Sequence, residues 1–474
     1  MGVRGGFWKV LQPYARQQGM GFFRGRRVAV DLSSWIVSAM STKSPTLRNI
    51  FFRTLSLFSK MGAFPVFVLD GVPSPLKAKS TSTSEAFTRC VHECVQLLGH
   101  LGMPILRAKG EAEALCAQLN RDGKVDACIT SDSDAFLCGA NTVIKVFSST
   151  VKEPFECYNI QDIQDGIGLS RRRMIAMALL IGCDYDLKGV PGVGLETALA
   201  FVQLFHEEHI LDELRAIGKG IYPPAAFASQ CRSLVKARDL NWKINVCKRL
   251  AAHPNFPNEE IIKLYLCDDN LDTEWDVSSS LVWKWNEQPN VEALVDMLSY
   301  GMWGRADIRR HMLPMLSTIY LREMAASSSP SNSKSLLLDD DHYEFHSVKR
   351  IKIIHGNPHY LVQWKSHADD RMFLHTDEDV QLVDEAFPNE ARRHKWLKGR
   401  VKSGANRNQL LVPNEEKSRA NNMSKTPKGA RPRPSRMQLS IKDFYRSKKP
   451  HVEMGETSTR KSSPVSQRRR LLLG

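Results

Sequence analysis

Short apolar runs that end in an acid recur through the first third of the chain. Residues 26–32, "RRVAVDL", and 64–70, "FPVFVLD", are two such runs, and an apolar stripe at helical spacing from Leu47 to Lys60 lies between them. That pattern predicts βαβ. A polar stretch "STSTSE" follows, then a helix over 86–101, a strand at "MPILRA", a helix opening at Glu111, and strands "DACITSD" and "TVIKVF". The expected fold class is α/β, a mostly parallel sheet with helices on both faces. From Asn159 to Ala325 the periodicity turns helical around the turn "GVPGVGLETA" at 189–198. "SSSPSNSKS" within 327–341 reads as a linker, and 342–396 as a small β-rich module with a closing helix. Residues 397–474 read as a disordered basic tail. The body 1–326 forms one α/β and helical unit.

Charge sharpens this division. The net charge is +15 over 474 residues, and the stretch from Leu397 to Gly474 alone holds 20 Lys or Arg against 5 Asp or Glu. The body is therefore neutral overall, and any nucleic-acid face on it must be a local patch. The ten cysteines form no CxxC, which points to reduced thiols. Neither a signal peptide nor a long apolar span is visible, so no membrane association is expected.

Ligands of an open parallel sheet bind beyond the carboxyl ends of its strands. Asp31, Asp70, and the pair Asp132 and Asp134 close three strands at that edge. Glu111 and Glu113 open the helix after "MPILRA", and Asp184 ends an apolar helix in "LLIGCDY". A lone acid at such a place is usually an N-cap or a solvated loop residue. Seven together are not explained that way, because clustered carboxylates raise one another's pKa unless cations neutralise them. Ligand sets of oxygen alone select Mg²⁺, with Mn²⁺ as a substitute. Two such ions about 4 Å apart suit phosphodiester hydrolysis.

The motifs "MGVRGGFWKVL", "VAVDLSSW", "VFVLDG", "GEAEALCAQL", "TSDSDAFLCGA" and "IGCDYDLKGVPGVGLETA" occur in that order. This succession resembles the flap endonuclease superfamily of structure-specific 5′ nucleases, over most of residues 1–300. The resemblance implies that Asp31, Asp70, Glu111, Glu113, Asp132, Asp134 and Asp184 are ligands of two metal ions or their immediate neighbours. It places Gly2 near the active site. It also makes "GVPGVG", with Gly189, Gly192 and Gly194, a helix–hairpin–helix turn that holds a DNA phosphate, with K⁺ as a further cofactor. The family's basic helical arch is here short and Ser/Thr-rich, which leaves Lys77, Lys79 and Arg89 to steer phosphate and puts threading of a free 5′ end in question.

Beyond the core, "YEFHSVKRI" and "HYLVQWK" resemble a chromodomain, an addition found in the Holliday-junction-resolving branch of the superfamily. Tyr343 and Trp364 stand where cage aromatics would, but His367 stands near the third position, so a DNA-contacting or structural role is expected over methyl-lysine reading. In the tail, "QLSIKDFY" resembles a sliding-clamp-binding box, with Gln438, Ile441, Phe444 and Tyr445 at its key positions. Taken together, the resemblance implies a Mg²⁺-dependent endonuclease on branched DNA of the plant single-strand-DNA-endonuclease type. It would resolve Holliday junctions and also cut 5′ flaps in DNA repair and recombination, in the nucleus, as a monomer in solution and a dimer on junctions. The rivals are a 5′ flap endonuclease of replication and repair, and a non-catalytic scaffold for branched DNA and clamp; intact acids argue against the scaffold.

Overall fold

The structure, a computed structural model, describes residues 2–77 except 5, 84–145, 155–221, 237–272, 284–299 except 286, 303–326, 336–338, and 341–392 except 355, 370 and 391. Lys79 and the clamp-box residues Gln438, Ile441, Phe444 and Tyr445 lie outside the described residues. The strands of the larger sheet are β1 (Arg16–Gln18), β2 (Arg27–Asp31), β3 (Phe64–Leu69), β4 (Ile105–Arg107), β5 (Ala127–Ile129), β6 (Thr142–Ile144) and β7 (Phe155–Asn159). Their order is β1-β7-β6-β5-β2-β3-β4. The run from β6 to β4 is parallel, whereas β7 and β1 pair antiparallel at one edge. That edge was not legible beforehand, because Arg16–Gln18 has no apolar residue to mark a strand.

Alternation along β2 explains why both faces are covered. Val28 and Val30 belong to one apolar core and Ala29 to the other, since successive side chains of a strand point to opposite faces. On the first face lie α2 (Leu32–Met40), α3 (Thr46–Leu55) and α4 (Glu85–His100); on the second lie α1 (Phe7–Leu11), α5 (Ala112–Arg121) and α6 (Asp134–Leu137). The second layer is extended by α7 (Ile160–Ile167), α8 (Arg171–Ile181), α9 (Leu195–Val202), α10 (Ile210–Gly218), α11 (Ala237–Ala252) and α12 (Glu259–Leu266). Helices α13 (Val291–Leu298) and α14 (Arg305–Ala326) return to the first.

After β4 the chain crosses back to β5, on the other side of β2. Strand order therefore reverses between β2 and β5, where the carboxyl ends open a crevice. No helix among the described residues is long and apolar enough to cross a membrane. All nine described cysteines are free, and eight are buried.

The second sheet contains β8 (Leu336–Leu338), β9 (Asp341–Ile354), β10 (Asn357–Ser366) and β11 (Phe373–Asp379), in the order β11-β10-β9-β8, closed by α15 (Val380–Ala386). All its pairings are antiparallel. β8 falls inside the stretch read as linker, which the sequence alone did not reveal. Trp364 and Tyr343 are buried, so they form no open aromatic cage. The Trp364 indole donates to Thr376 Oγ1 at 2.8 Å and packs edge-on against Tyr320 of α14, with ring centroids 5.5 Å apart. Those rings pack the second sheet against α14.

Candidate active site

The reversal point between β2 and β5 collects carboxylates. Asp31 closes β2 and caps α2, its Oδ1 accepting from the Ser34 amide at 3.0 Å and its Oδ2 from Thr130 Oγ1 at 2.7 Å. Asp70 follows β3 and accepts from the Ala112 amide at 2.8 Å, which ties it to the N-terminus of α5. Glu111 is the N-cap residue of that helix and Glu113 lies in its first turn, both buried. Asp132 Oδ1 accepts from the Asp134 amide at 2.9 Å. Asp134 opens α6, and its Oδ2 accepts from Tyr265 Oη of α12 at 2.7 Å. Its Oδ1 is buried with no hydrogen-bond partner. Asp184, after α8, acts electrostatically on Asp132, Asp134 and Lys77.

All seven predicted acids thus belong to one interacting cluster, and its electrostatics are those of a cation site awaiting charge. Burial, then the neighbouring Asp70, pushes Asp31 up to about 7; burial pushes Asp132 up to about 6. Burial also holds Asp134 and Glu113 well above the usual carboxylate range, reinforced by Asp132 in the first case and Glu111 in the second. Glu111 is buried as well, but hydrogen bonds from Glu113 and Lys77 outweigh that and leave it below its ordinary value. Burial of so many acids is unfavourable unless each is paired or protonated. Among the described residues the one ion pair to the cluster is Lys77 with Glu111. Donors are oxygen alone and one oxygen is orphaned, so the residues fit hard divalent cations such as Mg²⁺.

Gly2 belongs to this site. Its φ is +93°, and a Cβ there would lie 2.3 Å from Asp132 Oδ1 and 2.4 Å from Ser133 Oγ. The next amide, of Val3, donates to Ser133 Oγ at 3.1 Å. Only a residue without a side chain lets the N-terminal segment pass this close to the acids.

Lys77 departs from its expected role. It is engaged with Glu111 as a counter-ion of the cluster, because Glu111, Glu113 and Asp184 all attract the cation. Arg89 is exposed on α4. Three residues that bond the acids are not among those singled out from the sequence: Thr130, Tyr265, and Tyr185, which hydrogen-bonds Glu111. Tyr185 adjoins Asp184 in "CDYD" and was open to notice; Tyr265 lies 131 positions beyond Asp134 and only folding brings it there.

The glycine turn takes the hairpin form that the sequence suggests. Gly189 has φ +56°, and a Cβ on it would stand 2.5 Å from the Gly182 amide nitrogen, a backbone atom that cannot yield. Asp186 Oδ1 accepts from the Lys188 and Gly189 amides at 3.2 and 3.4 Å. Gly192 also has positive φ, +79°, and Gly194 is the N-cap of α9 with no side-chain cap, which leaves the helix's first amides open. The Arg4 amide donates to Gly182 O at 3.0 Å, which joins the end of α8 to the segment that carries Gly2.

Comparison with known proteins identifies the family. Residues 1–88 match the XPG N-terminal domain and 102–184 the XPG I-region. Flap endonuclease GEN-like 1 of Oryza sativa subsp. japonica is 45% identical, covering 100% of both chains. Human GEN1 in complex with Holliday junction DNA superposes with a TM-score of 0.66 at 27% identity, over 85% of this chain and 100% of that one. The Holliday junction-resolving enzyme GEN1 with product DNA and a Mg²⁺ ion has a TM-score of 0.57 over 84% of this chain and 100% of that one; at 19% identity it shows the fold alone. With its acids gathered at one crevice, its helix–hairpin–helix turn beside them, and a full-length relative of this identity, the chain belongs to the flap endonuclease GEN-like family of XPG nucleases.

Proposed function

We propose that this nuclease hydrolyses phosphodiesters in branched DNA, resolving Holliday junctions and cutting 5′ flaps, with Asp31, Asp70, Glu111, Glu113, Asp132, Asp134 and Asp184 as the set that holds two Mg²⁺ ions. The observation that carries it is the cluster itself, above all the buried Asp134 oxygen without a partner. When bound, two divalent ions supply the Lewis acidity that activates water and steadies the leaving oxygen. The protein's part is positioning. Thr130 and the Ser34 amide lock both oxygens of Asp31, and the Tyr265 hydroxyl takes Asp134 Oδ2 so that Oδ1 remains free. Such outer partners orient ligands and are worth much of a site's affinity.

Specificity in this reading comes from DNA shape. The open N-terminus of α9 with Gly189, Gly192 and Gly194 grips one backbone phosphate, and Arg89, exposed on α4, offers a further charge for the DNA backbone. The nuclease body is taken as 1–326 and the module as the segment that follows the linker. The resemblance to the resolving branch supports one copy in solution and two on a junction. The basic tail supports nuclear import, and the box at Gln438 to Tyr445 supports a sliding clamp as partner.

Cleavage and binding separate the readings. With Mg²⁺, Asp31→Asn and Asp132→Asn should abolish cutting, while binding measured with Ca²⁺ stays near wild type; near wild-type cutting by either removes that residue from the site. A plasmid-borne junction distinguishes paired cuts from single nicks, and efficient flap cutting with single nicks only would favour the flap reading. A peptide from Arg436 to Lys449 should bind the clamp with micromolar affinity and lose it when Phe444 and Tyr445 become Ala.

A further inference from the structure

The turn between α9 and α10 carries a set of donors unlike that of the crevice. Its sequence, "FHEEH" from Phe205 to His209, brings an imidazole nitrogen of His206, an imidazole nitrogen of His209 and a carboxylate oxygen of Glu208 within 4.8 Å of one another. All three side chains are exposed, and none has a hydrogen-bond or ion-pair partner among the described residues. The two rings lie against each other, centroids 5.8 Å apart.

Exposed histidines are commonly no more than solvated surface, but the backbone beneath these is fixed from several sides. Phe205 and Ile210 anchor the two ends of the turn in the core. The Phe205 carbonyl accepts from Arg173 Nη2 at 2.7 Å, the Glu208 carbonyl from Arg172 Nη1 at 2.9 Å, and the His206 carbonyl from the His209 amide at 3.1 Å. Gln164 Nε2 of α7 donates to Glu207 Oε2 at 3.0 Å, which draws that acid away from the group. A held backbone with three convergent side chains has little left to order when an ion arrives.

Two imidazoles and one carboxylate, with a fourth position open to water, are a known tetrahedral ligand set for zinc. Nitrogen donors favour Zn²⁺ over Mg²⁺, the reverse of the oxygen-only crevice. Ligand atoms around zinc at bonds of about 2.0 to 2.2 Å stand about 3.4 Å apart, so rotation of exposed side chains is enough to close the set. We propose that His206, Glu208 and His209 form a zinc site that ties the end of α9 to the start of α10. None of the seven crevice acids belongs to it. Bound zinc therefore stiffens this corner of the helical layer, and Mg²⁺-dependent cutting proceeds without it.

The experiment is calorimetric titration of the full, reduced chain with ZnSO₄ in excess Mg²⁺, which occupies the crevice. The wild type should bind one zinc ion more than the double variant His206→Ala/His209→Ala, and Glu208→Gln should weaken that event about tenfold or more, since loss of a direct ligand costs at least as much as loss of an outer partner. Asp134→Asn should keep it, because the crevice is a separate site. Zinc should raise the melting temperature of the wild type more than that of the double variant. X-ray absorption at the zinc edge, on wild type holding one equivalent, should show two imidazoles among nitrogen and oxygen ligands; this measurement needs no variant to fold. Equal zinc stoichiometry and affinity in wild type and double variant would overturn the proposal. So would a zinc shell of oxygen alone, which would put the ion in the crevice, or one containing sulfur, which would put it on a thiol.

Discussion

Two buried carboxylate environments in this molecule have the same elevated proton affinity and opposite meanings. In the crevice between β2 and β5, burial raises Asp31 to about 7; in the second sheet, burial raises Glu378 of β11 to about 7 as well. Glu378 has neutral partners, accepting from Ser317 Oγ of α14 and bonded to Thr376. A protonated, hydrogen-bonded Glu378 is a finished piece of packing between module and body. The crevice holds several acids, one ion pair and an orphaned Asp134 oxygen, so protonation alone leaves it incomplete. Proton affinity therefore does not mark the site; mutual repulsion with an unsatisfied oxygen does.

Substitutions break this comparison most strongly on the crevice side. Asp134→Asn keeps the shape of the residue and removes its charge, and cutting should fall about a thousandfold or more, equivalent to about 4 kcal/mol of barrier. Glu378→Gln should cut like wild type; a loss comparable to that of Asp134→Asn, in single-turnover assays with Mg²⁺, would erase the distinction between the two environments.

Gly2→Ala comes next. The added methyl group must displace Asp132 and Ser133, and misplacing reacting groups by about 1 Å can cost on the order of a hundredfold. Single-turnover rates should show this loss while the melting temperature stays close to wild type.

Tyr265→Phe sharpens the comparison, because it removes only the hydroxyl that turns Asp134 toward the metal position. The Mg²⁺ concentration for half-maximal rate should rise about tenfold, as expected when an outer partner is lost. An unchanged Mg²⁺ titration would reduce Tyr265 to packing.

The smallest effect lies in stability against pH. Glu378 and Asp31 each have a folded pKa above the unfolded value, so the stability each contributes is full below the unfolded value and is lost as pH rises through the folded one. For Glu378 that window runs from about 4.5 to about 7, and for Asp31 from about 3.8 to about 7. Glu378 accounts for up to about 3 kcal/mol of this slope. Glu378→Gln should flatten part of the slope whether or not Mg²⁺ is present. Mg²⁺ should remove the crevice's part, since it favours the ionised acids. Urea unfolding at pH 5 and pH 7.5 with and without Mg²⁺ tests both; a Mg²⁺-insensitive slope in the Gln variant would contradict the crevice assignment.

Much of the fold was legible. Strands β2 to β6 follow from apolar runs broken by turns and helical stripes, because local periodicity decides which face each residue can bury. The seven acids were legible for a related reason: strand and helix ends carry them to one edge of a parallel sheet. Edge strand β1 and strand β8 were not, since Arg16–Gln18 carries no apolar mark and Leu336–Leu338 lies beside a Ser-rich stretch.

The amino-acid order by itself determined the α/β body, the carboxylate set, the glycines of the hairpin turn and the basic tail, all features written in adjacent residues. Tertiary structure alone decided which groups complete them. Tyr265 meets Asp134, Lys77 meets Glu111, Arg249 meets Gly192, and Trp364 meets Tyr320 because packed helices bring distant segments within hydrogen-bond or ring-contact reach. Sequence patterns carry a residue's preference for a face, whereas the partner it finds there depends on how whole layers pack, a property no local window contains.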